Sequence, residues 1–196
     1  MRAAGSERPR RCRRSGGIAT VVATLALAGG GTAAAQDQSA PVQAIPALDL
    51  ARYAGLWHEV ARLPNRFQRR CVGDVTASYE LLDGAIRVVN TCRVADGTRT
   101  RAEGRARLAD RDGPASRLKV RFAPALLSFL PMVWADYWVL DLTDDYGAAL
   151  VGTPDRRYLW VLSRRPELDP ATYGRLVGTA ARQGFDVARL QRTSAP

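Results

Sequence analysis

The stretch from Val72 to Arg93 constrains the fold of this chain more than any other. Asp83-Gly84 sits at its centre as a two-residue turn signal, and both positions suit the positive φ of a type I′ hairpin turn. With Leu82 opposite Ala85, opposed residues sum to 167, pairing Val75 with Cys92, Ala77 with Asn90, Tyr79 with Val88 and Leu81 with Ile86. That face is apolar almost throughout. The other carries Thr76, Ser78, Glu80, Arg87 and Thr91, with Val89 the exception. Successive side chains on a strand point to opposite faces, so this hairpin buries one side and wets the other.

Alternation continues downstream. Ala102, Gly104, Ala106 and Leu108 oppose Arg101, Glu103, Arg105 and Arg107; after the turn at 110–114, Leu118, Val120 and Phe122 oppose Arg117, Lys119 and Arg121. The small residues of the first of these strands leave room on a concave face unless bulky neighbours fill it. Further strand-like runs follow at 134–142, 146–152 and 157–163, apolar on both faces, so an outer cover is expected. Asp169 with Pro170 starts a helix in which Tyr173, Leu176, Val177, Ala180 and Ala181 form one apolar stripe before Gly184. Gly174 and Gly178 would allow that helix a close approach to the sheet, and 185–190 reads as one more short strand. With the first strand after Gly55, the pattern predicts an all-β, eight-stranded antiparallel up-and-down barrel with one C-terminal α-helix packed outside.

The beginning of the chain is of another kind. Arginines 8, 10, 11, 13 and 14, the apolar run 18–28 and Ala33-Ala34-Ala35 read as a signal peptide over residues 1–35, followed by a flexible or extended lead-in at 36–48 and a single domain at 49–192. Arg13-Arg14-Ser15-Gly16-Gly17 leaves a twin-arginine route open beside the general one. Leu27-Ala28-Gly29 resembles the start of a lipobox, but Gly30 stands where the lipidated cysteine would follow, so no lipid anchor is expected and the protein should be periplasmic or secreted.

Export alters the charge and the cysteine count. Removing six arginines and one glutamate from 29 basic and 19 acidic residues leaves 23 and 18, a net charge near +5. The arginines alternate with apolar residues along strands and do not cluster with stacking aromatics, which argues against nucleic acid as a partner. Cys12 leaves with the leader; Cys71 and Cys92 remain, either as one disulfide or as two separately buried thiols. Export favours the bond, which would close a loop of about 21 residues, contribute about 3 kcal/mol and require the strand to bulge near Gly73. Two cysteines and one histidine make a metal site or a metal cofactor unexpected.

Several ordered motifs together resemble the lipocalin family, in particular bacterial lipocalins related to apolipoprotein D. They are Gly55-Leu56-Trp57-His58-Glu59-Val60-Ala61-Arg62-Leu63-Pro64, Tyr79-Glu80-Leu81 with Asp83-Gly84, Asp144-Asp145-Tyr146 running into Ala149-Leu150-Val151-Gly152, and Tyr158-Leu159-Trp160-Val161-Leu162-Ser163-Arg164-Arg165-Pro166. The resemblance implies that Trp57 closes the barrel floor and that Arg164 packs across it, both as structural residues. It also implies that the loops at 64–71, 94–99, 124–133 and 153–155 surround an open mouth.

Parity then nominates the ligand cavity: Leu63, Val75, Ala77, Tyr79, Val88 and Asn90 on the first three strands, and Ala102, Gly104, Ala106, Val120 and Phe122 on the next two. Asn90 is the polar member and needs a partner, from a ligand or from a structural hydrogen bond. Glu59 shares the parity of Trp57 and would need a partner if it points inward, whereas His58 should face outward. Phe67, Leu126, Leu127, Phe129 and Leu130 are candidates for a mouth or lid. The apolar run 124–133 has three readings: a lid, a membrane-facing patch, or a segment folded back on the core.

The expected function is binding, storage or transport of a small lipid-like ligand, such as a fatty acid or lysophospholipid, in the bacterial cell envelope, without catalytic residues. The alternatives are a lipid-acting enzyme on the same barrel and a membrane or protein docking module using 124–133. No Ser elbow supports the enzyme, and the sequence does not decide the oligomeric state.

Overall fold

The computed structural model describes residues 40–195. The signal peptide, twin-arginine and lipobox readings therefore fall outside the described residues. Eight antiparallel strands follow one another around a closed barrel: β1 Gly55–Arg62, β2 Cys71–Leu82, β3 Ala85–Val94, β4 Arg99–Leu108, β5 Arg117–Arg121, β6 Ala135–Leu142, β7 Ala148–Gly152 and β8 Leu159–Ser163. Pairing of β1 with both β2 and β8 closes the ring, which removes the free sheet edges.

The β2–β3 register is the expected one, from Leu82 opposite Ala85 to Thr76 opposite Thr91. Its turn is not. Gly84 alone takes a positive φ, of 67°, so Asp83 does not adopt the second left-handed conformation that a type I′ turn requires. At the far end the register shifts on both sides of Gly73, and this double irregularity brings Cys71 within 5.6 Å, Cα to Cα, of Cys92 in a disulfide.

The apolar residues divide into two main clusters on the two sides of the sheet. Inside lie Trp57, Tyr79, Ile86, Val88, Leu118, Val139, Val151 and Leu162 with their neighbours. Outside, under the helix α2 (Pro170–Arg182), lie Val60, Ala61, Leu140, Leu150, Leu159 and Val161 with Leu176, Ala180 and Phe185. This outer cluster explains why the last strands are apolar on both faces. Asp169 caps α2 by accepting from the Thr172 amide at 2.9 Å, with Pro170 in the first turn.

Two expectations fail in this region. Gly174 has open space around its Cα and Gly178 meets only the tip of Arg182, so neither serves a close approach; Leu176 and Ala180 make the contact instead. Residues 185–190 do not form a strand. Val187–Arg189 is a 3-10 helix, and a two-residue strand β9 (Gln191–Arg192) pairs with Ala61 and Arg62 on β1.

Residues 40–48 take the extended alternative and pack on the barrel. Val42 and Leu48 are buried, the Ile45 amide donates to Val139 O at 2.9 Å, and Ser116 Oγ donates to Ile45 O at 2.5 Å. A four-residue helix α1 (Leu50–Tyr53) follows, capped by Asp49 and not evident in the sequence.

Candidate functional site

Odd and even connections of the meander lie at opposite ends, so β1 runs from a closed floor to the mouth. Trp57 is fully buried at the floor, and its Nε1 donates to Tyr53 O at 2.8 Å. The Arg164 guanidinium lies 4.0 Å from the Trp57 ring centroid and donates to Leu56 O, Arg52 O and Ala54 O at 2.7–2.9 Å. One side chain thus satisfies carbonyls at the end of α1 while covering the indole. Burial pulls its pKa below the ordinary arginine value.

Above this cap is a layer of three phenols. Tyr137 Oη lies 2.8 Å from both Tyr53 Oη and Tyr79 Oη, and the rings of Tyr79 and Tyr137 meet edge to face. Desolvation raises the pKa of all three, that of Tyr79 to about 12. They are neutral at physiological pH. Three hydroxyls hold three hydrogens and make two mutual bonds, leaving one O–H to donate elsewhere in the interior.

Val75, Ala77, Val88, Asn90, Gly104, Ala106 and Val120 continue the inner wall, by register and by burial. Asn90 pairs with Ala77 on one side and Ala102 on the other, so two methyl-sized side chains flank its amide. Its Oδ1 is buried without a hydrogen-bond partner. The strip of small residues is not uniformly open. A Cβ at Gly104 would come within 2.8 Å of Phe122 Cδ1 and 2.5 Å of Arg121 O, so the phenyl ring occupies the space that glycine leaves. Phe122 itself is 45% exposed just past the end of β5, and Ala102 is exposed as well, which places both at the rim and not deep in a cavity.

Leu63 is not a cavity residue. A bulge between Glu59 and Ala61 turns two consecutive residues, Val60 and Ala61, to the outside and reverses the parity of everything after them. Leu63 therefore packs in the outer cluster beneath α2, and Arg62, opposite Trp160, takes the inward position. Glu59 points inward and has partners. It accepts from Arg62 Nη1, Gln68 Nε2 and Thr193 Oγ1, each at 2.5 Å. Gln68 comes from a 3-10 turn, Arg66–Gln68, and its Oε1 accepts from Trp160 Nε1 at 2.9 Å. The loop after β1, the C-terminal segment and β8 are thereby tied together at one point. His58 faces the other way, half-buried and paired with Thr76 and Ser163; burial lowers its pKa.

Phe67 at the tip of the same turn is exposed, with its ring 5.6 Å from that of Tyr158. Of the lid candidates on 124–133, Leu126 and Phe129 are exposed, and Leu127 and Leu130 are partly covered. This excludes the reading in which the segment folds back on the core. Arg62, Gln68, Thr193, Tyr53, Tyr137 and Trp160 are site residues that pattern reading missed. Parity fails at the bulge, and it is unreadable in strands apolar on both faces. Among the described residues no group of three or more His, Cys, Asp or Glu side chains is gathered as a metal would require.

A family model described as a lipocalin-like domain matches residues 48–195. Temperature-induced lipocalin-1 of Arabidopsis thaliana is 40% identical over 154 residues, covering 78% of this chain and 82% of that protein. The outer membrane lipoprotein Blc of Escherichia coli K12 is 36% identical over 144 residues, 72% of this chain and 76% of its own. Apolipoprotein D of Mus musculus is 31% identical over 164 residues, 79% and 80% respectively. In structure the chain is similar to insecticyanin of the tobacco hornworm Manduca sexta, with a TM-score of 0.62, 22% identity, and coverage of 79% of this chain and 85% of that one. That likeness concerns the fold.

Proposed function

The chain belongs to the lipocalin family, and from that premise we propose that it binds a single-chain lipid, such as a fatty acid or lysophospholipid, inside its barrel and carries it within the bacterial cell envelope. The observation that carries this reading is the wall around Asn90: apolar and small side chains surround an amide oxygen that is buried yet unpartnered. Apolar burial supplies the affinity, at about 25 cal/mol per Å². A ligand hydroxyl, or a water held by the ligand, answers Asn90 and the spare phenol hydrogen.

The reading is of a binding protein and not an enzyme. His58 is turned out of the barrel, and the interior phenols are held in their neutral, un-nucleophilic form. An exported protein without its own lipid anchor fits the leader pattern, and the kinship with an Escherichia coli outer membrane lipoprotein supports an envelope address.

The test is displacement of a fluorescent acyl probe from the purified protein. Wild type should bind the probe and release it to a fatty acid or lysophospholipid. Ala77→Phe, which places a ring beside Asn90, should weaken binding at least about tenfold while the protein still unfolds cooperatively, at a stability cost of no more than about 1–3 kcal/mol. A wild-type protein that takes up no acyl probe, or an Ala77→Phe variant that binds as tightly as wild type, overturns the proposal.

A further inference from the structure

The connections at the two ends of the barrel differ in charge. The three floor turns, 83–84, 109–116 and 143–147, carry five aspartates and one arginine. The four mouth loops, 63–70, 95–98, 122–134 and 153–158, carry five arginines and two aspartates. Three of those arginines, Arg66, Arg69 and Arg70, are exposed on the first loop, which has no acidic residue; Asp96 on the second loop offsets Arg70 in part.

The same end bears the most exposed of the large apolar residues, while Leu56, Leu81 and Leu82 at the floor are 38–49% exposed. Leu126, Phe129 and Met132 are 75%, 76% and 85% exposed on a loop with no charged residue from 122 to 134, and Phe67 on the arginine loop is 64% exposed. These side chains are presented by a braced stem. Trp134 donates from Nε1 to Ser128 O at 2.8 Å, the guanidinium groups of Arg107 and Arg121 lie 4.2 and 5.3 Å from its ring centroid, and Arg121 Nη1 donates to Ala123 O and Pro124 O.

We propose that the mouth is a docking surface for an anionic phospholipid bilayer. Leu126, Phe129, Met132 and Phe67 enter the interface, and Arg66 and Arg69 lie at the headgroup phosphates. Apolar anchors and cations that share one end, facing away from an acidic opposite end, are what an anionic membrane selects. A protein partner would need a surface with acidic groups around an apolar centre; mouth to mouth, a second copy of this chain offers the same cations and repels them, and mouth to acidic floor would be a head-to-tail contact that builds open chains of copies, not a closed pair. Docking in this orientation sets the barrel opening against the lipid, so that a tail passes between bilayer and interior without crossing water. The attachment itself does not depend on a ligand being bound.

Protein purified after expression of the full chain should co-sediment with vesicles of phosphatidylethanolamine and phosphatidylglycerol. Pure phosphatidylcholine vesicles should bind it at least about tenfold more weakly, and salt should release it. Combining Leu126→Ser, Phe129→Ser and Met132→Ser should abolish sedimentation, and combining Arg66→Gln with Arg69→Gln should weaken it by about tenfold or more. All these positions are exposed, so unchanged thermal unfolding confirms that the variants fold. Equal binding to both vesicle types, undiminished binding by the apolar variant, or a wild-type dimer that the apolar variant breaks overturns the proposal. Acyl-probe binding measured on the same variants separates the two ideas. Retained vesicle attachment with no probe uptake refutes ligand carriage and leaves docking standing, and the reverse result refutes docking alone.

Discussion

At the floor of the barrel the buried aromatic side chains have found partners: Trp57 lies beneath Arg164, three tyrosine hydroxyls meet each other, and α1 is capped at its start by Asp49 and at its end by the same guanidinium. At the mouth, Phe67, Leu126, Phe129 and Met132 face outward, and Asn90 Oδ1 waits without a donor. The floor contains the closing contacts of the fold, whereas the mouth keeps apolar and polar groups unsatisfied. Regions that bind are drawn from the less stabilised parts of a structure. The contrast predicts that floor substitutions change stability first and mouth substitutions change binding first.

The most severe test of that division is Trp57→Ala. It removes a fully buried indole together with its hydrogen bond to Tyr53 O and its contact with Arg164, and should cost about 3–5 kcal/mol in chemical denaturation. A loss below about 1 kcal/mol would mean that the floor is not where stability is concentrated.

Reducing the Cys71–Cys92 disulfide should cost up to about 3 kcal/mol, and less if the reduced chain stays compact. Because the bond ties the start of β2 to β3 at the mouth, limited proteolysis of the reduced protein should cut first near residues 64–71. First cleavage at the floor turns instead would contradict the ordering of the two ends.

The tyrosine layer gives the floor an alkaline limit. Burial raises Tyr79 from 10.0 to about 12 and lifts Tyr53 and Tyr137 as well. The folded pKa lies above the unfolded one, so this stabilisation is complete below pH 10 and fades as pH rises from about 10 to about 12. Tyrosinate absorbance should therefore show three of the six tyrosines ionising only with unfolding. Tyr79→Phe should leave two such groups; simultaneous ionisation of all six near pH 10 would show the layer to be wet.

Arg164→Met keeps some cover over Trp57 and removes the bonds to Arg52 O, Ala54 O and Leu56 O, for an expected loss of about 1–3 kcal/mol in thermal or chemical unfolding. At the other extreme, Phe129→Ser should alter stability by no more than about 0.5 kcal/mol. If it lowers the melting temperature as much as Arg164→Met does, the loop is part of the core and the contrast between the ends fails.

Much of this architecture was legible in residue order. Alternation from Val75 to Tyr79 and from Ile86 to Cys92 determined a two-faced hairpin and its register, because period-2 patterning and a two-residue turn leave one pairing that buries the apolar face. The spacing of Tyr173, Leu176 and Ala180 after Asp169 and Pro170 determined the outer helix. The family resemblance carried by the motifs around Trp57 and Arg164 located the floor. Tertiary structure alone decided what lies inside the upper barrel. One bulge at 59–61 exchanged Leu63 for Arg62, and an extra residue in a strand leaves no mark on composition or periodicity. Likewise Tyr53, Tyr79 and Tyr137 belong to segments that meet only when the ring closes, since a hydrogen bond between residues 84 apart depends on the folded path of everything between them.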